Sequence, residues 1–263
     1  TAAVEPAGTT VRFSGRLDAT GAAGTVSLAS PDPGAAAKAL GLPSLPPGLA
    51  TQAKGQITWL PGPPGKWAVA GLEAKVAETV LRGQLGYNTL LPAGLSFDLS
   101  ADSLDFDRFP PTPPAPEPQT ASAGTPQARG RLRLDQIAGR GLEVRNAVLE
   151  LTLGHGNMAA VIDAAELFGG KLTGTVERQN AGRLTAALQL AGAEASKLFA
   201  KTGLPLAGPV TAKASLEAGG AATGRLGNVA ASLEAESSQL FLTRNGKRLP
   251  VAAPKAILTV KGL

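Results

Sequence analysis

The stretch from Arg129 to Glu177 alternates, and that period restricts the chain more than any other feature. Leu132 and Leu134 stand against Arg131, Arg133 and Asp135, and Val144 stands against Glu143 and Arg145. A second run, Leu149, Leu151 and Leu153, is out of step with Val148; the break near Asn146 and Ala147 marks a bulge or a switch of face. A period of two broken by glycine describes half-buried antiparallel strands joined by turns. Gly154-His155-Gly156-Asn157 supplies a tight turn, and Gly169-Gly170 a second place where the backbone bends or packs closely.

Composition extends the same reading to the whole chain. With 33 Gly and 21 Pro among 263 residues, helix is penalised and short strands are favoured. Hydrophobic residues make up 43% but aromatics 4%, so any core is built from Ala, Leu and Val. The length suits one or two domains. Cysteine is absent, which removes disulfides, thiolate nucleophiles and Cys-type metal sites together. The net charge of +5 would suit anionic lipid headgroups, but the basic residues are dispersed, as on an ordinary solvated surface. So few aromatics argue against nucleic acid as a partner. No apolar run reaches the roughly 18 residues that a membrane helix needs. A chain opening at Thr1 without Met reads as processed or excised, with any signal or N-terminal anchor left out.

In order, Val11 to Leu28 reads as a hairpin turned by Thr20-Gly21-Ala22-Ala23-Gly24. Asp32 as N-cap and Pro33 at the first position start a short helix, Ala35 to Leu40, ended by Gly41 and Pro43. Strands follow at Gln52 to Leu60, Trp67 to Val76, Thr79 to Tyr87 and Leu95 to Asp107, where the acidic residues face water. Trp59 and Trp67 flank the PGPPG turn and pack across it. Pro110 to Pro126 has too many prolines for sheet or helix interior and reads as a semi-rigid linker. Limited proteolysis is therefore expected to cut first between Pro111 and Pro126; a first cut elsewhere, mapped by mass spectrometry, would show that this tract is protected. Beyond the opening stretch come a strand from Arg183 to Leu190, a helix from Ala193 to Lys201 ended by Gly203 and Pro205, and strands at Val210 to Glu217, Leu226 to Ala235, Gln239 to Thr243 and Ala256 to Val260.

An internal repeat ties the halves together. Gly41-Leu42-Pro43 matches Gly203-Leu204-Pro205, Ala53-Lys54 matches Ala212-Lys213, and Leu72 to Thr79 resembles Val229 to Ser237. The expected fold class is strand-dominated α+β: a curved antiparallel sheet from two strand-helix-strand-strand repeats, with short helices on one face. The expected domains are a first repeat at 1–109, a Pro-rich linker at 110–128 and a second repeat at 129–263.

Two phrases resemble the AsmA family. One is carried by Phe97, Leu99, Asp102, Leu104, Asp105, Asp107, Arg108, Phe109 and Pro111, just before the Pro-rich insert; the other by Ala165, Leu167, Phe168, Gly170 and Gly174. The resemblance covers roughly Val11 to Glu236. It implies a periplasmic domain tethered to the bacterial inner membrane through an N-terminal anchor outside this chain, in the group that includes TamB-like phospholipid bridges. The implied role is non-enzymatic: phospholipid handling in outer-membrane biogenesis, with phospholipid and other envelope proteins as partners. The alternative is a scaffold or regulator of outer-membrane protein assembly.

Catalytic signals are weak. The single histidine, His155, sits in a Gly-flanked turn, a poor place for a base oriented by a buried acid. Gly65-Lys66 and Gly170-Lys171 lack the remainder of a phosphate loop, and the aspartates of Leu95 to Asp107 lack EF-hand spacing. No catalytic residue, cofactor or metal ligand is assigned. The candidate lipid-facing residues are Leu184, Ala186, Leu188 and Leu190, which share one face of their strand, opposite Thr185, Ala187 and Gln189. Two readings stay open: this face lines an open groove, or the Ala193 to Lys201 helix covers it.

Overall fold

A chain whose strands are apolar on alternate residues forms sheet, and the computed structural model is strand-dominated with almost no helix. It describes residues 2–4, 8–31, 51–62, 65–76, 78–91, 94–105, 107, 127–139, 141–154, 157–179, 183–220, 226–244, 247–251 and 254–261. The expected helix Ala35 to Leu40, the proline tract, Pro63 and Pro64 of the PGPPG turn, and His155 lie outside these residues. Contacts divide the chain into two units, Thr1–Thr112 with Pro126–Asp135, and Pro113–Thr125 with Gln136–Leu263.

The first unit is antiparallel through its first seven strands. Its strands are β1 (Ala2–Val4), β2 (Thr10–Asp18), β3 (Gly21–Ser30), β4 (Thr51–Leu60), β5 (Lys66–Val76), β6 (Thr79–Asn88), β7 (Leu95–Asp105) and the Ala128–Asp135 part of β8 (Ala128–Gly139), and they lie side by side in chain order. Residues opposed across an antiparallel pair share a face, so the register sorts the side chains. Phe13 opposes Val26, Ile57 opposes Val69, Leu85 opposes Phe97, and Trp59 opposes Trp67, whose ring stacks on Tyr87 at 6.0 Å. The other face carries Arg12, Lys54, Glu73, Arg82 and Asp98. Glycine makes room for the few large rings: a Cβ on Gly24 would come within 3.0 Å of the Phe13 ring, and one on Gly130 within 2.5 Å of the Phe97 ring. A ring laid over a cross-strand glycine fills space that the glycine leaves empty.

One expectation changes here. The first turn is not Thr20 to Gly24 but the tighter Asp18↔Gly21 connection, and Ala22, Ala23 and Gly24 are strand residues. Asp18 explains the difference, since its carboxylate accepts hydrogen bonds from the Thr20 N–H at 2.8 Å and from the Thr20 hydroxyl, closing an Asx-type turn. The first eight residues of β8 group by contacts with the first unit, where Arg133 donates to Asp98 at 2.7 Å and Leu95 N–H to Gln127 O at 2.9 Å.

The Thr20 bonds, with Arg16, hold the Asp18 carboxyl below its ordinary pKa. A depressed folded-state pKa contributes stability above the unfolded value, and that stability is lost as pH falls through the folded value. Asp18→Asn is accordingly expected to lower stability at pH 7 and to flatten the acid limb below about pH 4, so that variant and wild type converge at low pH; urea titrations at several pH values would check it.

The second unit is also built almost wholly of strands. It holds the end of β8, β9 (Leu142–Gly154), β10 (Asn157–Leu167), β11 (Gly170–Arg178), β12 (Leu184–Glu194), β14 (Pro209–Gly220), β15 (Leu226–Glu236) and β18 (Lys255–Lys261) in that lateral order. β13 (Leu206–Ala207), β16 (Leu240–Arg244) and β17 (Lys247–Val251) form a separate small sheet. The expected bulge at Asn146 and Ala147 is present: Val148 pairs with Ala164 but Arg145 with Glu166, leaving one extra residue on β9, and Asn146 takes φ +52°. Phe168 (φ +53°) and Gly169 (φ +78°) form a two-residue turn closing Leu167 on Gly170.

The expected helix Ala193 to Lys201 shortens. Ala193 and Glu194 end β12, a single turn α1 spans Ala195–Leu198, and a 3-10 turn spans Ala200–Thr202. Gly203 stops it in the left-handed conformation (φ +69°). The turn is anchored by burial of Ala195 with Val210 and Leu240, flanked by Leu198, Phe199, Leu206, Ala235 and Val251. Its lysines reach neighbouring turns: Lys197 meets Glu194 at 3.2 Å near Gly169, and Lys201 Nζ donates to Gly141 O at 3.4 Å.

Candidate functional site

Strand register turns the separate alternations of the second unit into one surface. In β12, Leu184 opposes Arg178 and Ala218, Ala186 opposes Val176 and Leu216, Leu188 opposes Gly174 and Ala214, and Leu190 opposes Leu172 and Ala212. The four candidate residues therefore share a face with their partners on β11 and β14. The same face continues outward through Ala160, Ile162, Leu149 and Leu151 on one side, and through Ala231, Leu233, Leu258 and Val260 on the other. It is apolar across seven strands.

Nothing described covers its middle. Leu184, Ala186, Leu188 and Leu216 are each half-buried, and Leu233 and Leu258 are exposed. Of the four candidates, Leu190 alone is buried. The cluster around α1 takes up Val210 and Ala235 at one end of the strands and includes none of the four. The reason is length: one helical turn and a 3-10 turn cannot lie along strands of 11 or 12 residues.

Ala186 and Leu188 line a cavity of about 300 Å³ with Leu216, Ala231, Leu233 and Leu258; Leu184 and Leu190 lie outside its wall. Sequence reasoning missed the contribution of β14, β15 and β18. Its signal was present, since Ala212, Ala214 and Leu216 alternate with Lys213, Ser215 and Glu217, but period alone does not say which strands lie side by side.

The opposite face is chemically different. Thr175, Gln189, Lys213, Ser215, Ser232 and Glu234 border a separate concavity of about 560 Å³, where the Ser215 and Ser232 hydroxyls are hydrogen-bonded at 2.7 Å. Arg183 and Glu217 are paired there at the strand ends. A third hollow, about 350 Å³, lies between the β8–β9 and β10–β11 turns and is bordered by Glu143, Arg145, Glu166, Phe168 and Lys197. Its charges are mutually satisfied: Arg145 donates to Glu143 at 2.7 Å, Asn146 to Glu166 at 3.1 Å, and Lys197 pairs with Glu194.

In the first unit the acidic phrase is used structurally. Asp102 accepts the Val80 N–H at 3.1 Å and the Ser103 N–H at 2.7 Å, and Asp105 accepts the Asp107 N–H at 3.0 Å. Among the described residues no group of three or more His, Asp or Glu side chains is arranged to hold a metal ion. No described helix is long and apolar enough to cross a membrane. Comparison with family models, with curated proteins and with solved structures finds no match to this chain.

Proposed function

We propose that the apolar face of the second unit holds lipid acyl chains, and that the chain is a non-enzymatic, AsmA-like envelope domain that handles phospholipid on the periplasmic side of a bacterial inner membrane. The observation that carries this reading is the seven-strand face with no described layer over its middle. Fully burying a leucine contributes roughly 1.5–3 kcal/mol, and a half-buried one leaves about half of that unrealised. An acyl chain laid along Leu188, Leu216, Leu233 and Leu258 would recover it, and the all-but-apolar wall of the 300 Å³ cavity offers no polar group that would select a polar ligand instead.

The two units read as copies of one ancestral repeat. Lys54 stands opposite Glu73 in the first and Lys213 opposite Glu234 in the second, each lysine directly following the matching alanine of the Ala-Lys pair. The same correspondence sets β3, β4 and β5 against β12, β14 and β15, with α1 at the position of the expected Ala35 to Leu40 helix.

Lipid extraction tests the functional reading. Protein expressed in a Gram-negative host and purified without detergent is expected to release phospholipid detectable by mass spectrometry. Lipid-free protein that also takes up no fluorescent fatty acid or phospholipid would overturn it.

A further inference from the structure

We propose that Arg178 anchors the phosphate of a phospholipid whose acyl chains lie on the apolar face of the second unit, with the head at the β11–β12 turn and the tails running toward α1. The assignment rests on the lipid reading above and adds to it a class of headgroup and a direction. Residues opposed from strand to strand form rows across the face. The rows through Leu190, Leu188 and Ala186 hold apolar side chains and glycine throughout. The next row reads Leu153, Met158, Arg178, Leu184, Ala218 and Val229. Among the described residues Arg178 is the single charge in these four rows, and it ends β11, where Gln179 N–H donates to Arg183 O at 2.9 Å to close the turn.

Its side chain has no ion-pair or hydrogen-bond partner among the described residues, and it is exposed, with Leu153 and Met158 also exposed along its row. Other cations of this unit are paired within the chain: Arg145 with Glu143, Lys197 with Glu194, and Arg183, across the same turn, with Glu217. The nearest acid in sequence, Glu177, opposes Thr185 and so lies on the polar face with Glu217. An unpaired guanidinium at the end of an otherwise apolar surface is complementary to an amphiphile with an anionic head.

Spacing favours a phospholipid over a fatty acid. Rows lie about 7 Å apart along the strands and neighbouring strands about 4.8 Å apart, so Arg178 stands about 8 Å diagonally from Ala186, which lines the 300 Å³ apolar cavity. That gap has room for a glycerol backbone between tail and phosphate. A fatty-acid carboxylate is attached directly to its tail and would have to draw the tail out of the cavity to reach the guanidinium. Arginine also presents paired N–H donors in one plane, which fit two phosphate oxygens at once. At the other end of the strands, beyond Leu190, the cluster of Ala195, Val210 and Leu240 gives the tails an apolar stop.

The test titrates the whole delipidated chain, by calorimetry and below micelle-forming concentrations, with lysophosphatidylglycerol, monoacylglycerol and free fatty acid of one acyl length. Wild-type protein is expected to bind the lysophospholipid at least about tenfold more tightly than the monoacylglycerol. Arg178→Gln should remove that difference while leaving monoacylglycerol affinity and far-UV circular dichroism unchanged, and Arg178→Lys should restore part of it. Arg183→Gln removes a charge from the same turn on the opposite face and should keep the whole difference. Equal affinities in the wild type, a difference that survives Arg178→Gln, an equal loss in Arg183→Gln, or fatty acid bound as tightly as lysophospholipid would each overturn the headgroup assignment while the acyl site stands. Displacement of the lysophospholipid by millimolar inorganic phosphate would assign Arg178 to a free anion and overturn it as well. Wild-type protein that binds none of the three acyl compounds would overturn the lipid reading itself.

Discussion

Leu188→Asp is expected to abolish lipid co-purification while leaving the second unit folded. Leu188 is half-buried, opposes Gly174 and Ala214, and borders the apolar cavity without a helix above it. A carboxylate there keeps its water in the lipid-free protein, so the cost is a partial loss of apolar burial and of strand propensity, about 1–2 kcal/mol. Against a bound acyl chain the same carboxylate is desolvated and unpaired, which costs several kcal/mol and reduces occupancy by two orders of magnitude or more. Gln189→Asp, one residue on and on the polar face, serves as the control and should retain lipid. Folded Leu188→Asp carrying lipid at the wild-type ratio would remove β12 from the binding face; unfolding of the second unit would show that the face is covered in solution.

Gly208→Ala is expected to cause the largest loss of stability among single methyl additions in the second unit. Gly208 has φ +120°, a conformation essentially reserved for glycine, and an added Cβ would lie 2.0 Å from the Gln239 carbonyl oxygen. Its own carbonyl accepts the Ala195 N–H at 2.9 Å, so the backbone cannot shift without loosening α1 from Val210 and Leu240. Strain and lost packing together amount to about 3 kcal/mol or more. Gly192→Ala provides the comparison: φ is +69°, nothing lies within 4 Å of the new methyl, and only the left-handed penalty of about 1 kcal/mol remains. Urea unfolding followed by circular dichroism should rank the two variants in that order; equal midpoints would mean that the Gly208 loop relaxes freely.

Most strands could be read from the amino acids because each is wet on one side. Leu95, Phe97 and Leu99 against Ser96, Asp98 and Ser100 give a period that nothing but a half-buried strand explains, and β7 begins at Leu95 as expected. Glycine was the main source of error. In Thr20 to Gly24 it looked like a turn, but Gly24 sits mid-strand opposite Gly15, where it makes room for the Phe13 ring. The extent of the candidate site was hidden for a different reason. Leu184, Ala186, Leu188 and Leu190 were legible on their own strand, while Leu233 and Leu258 joined them through a register that skips residues 237–254. The pairing of β16 with β17 and their placement beside β13 were likewise not legible, because the strands are short and no local period links Leu206 to Leu242.

That long skip sets an order of events during folding. Hairpins such as β10–β11, with a two-residue turn, close in microseconds and need only neighbouring sequence. β18 must wait for β15 and then for the whole β16–β17 excursion before it finds its place, so the entropy of closing that loop falls on one strand pair at the sheet margin. On a ribosome β15 would spend an interval as the exposed margin itself, with Ala231 and Leu233 uncovered, until β18 emerges. Destabilising variants within 237–254 should therefore lower yield by prolonging that interval, even where the finished protein tolerates them.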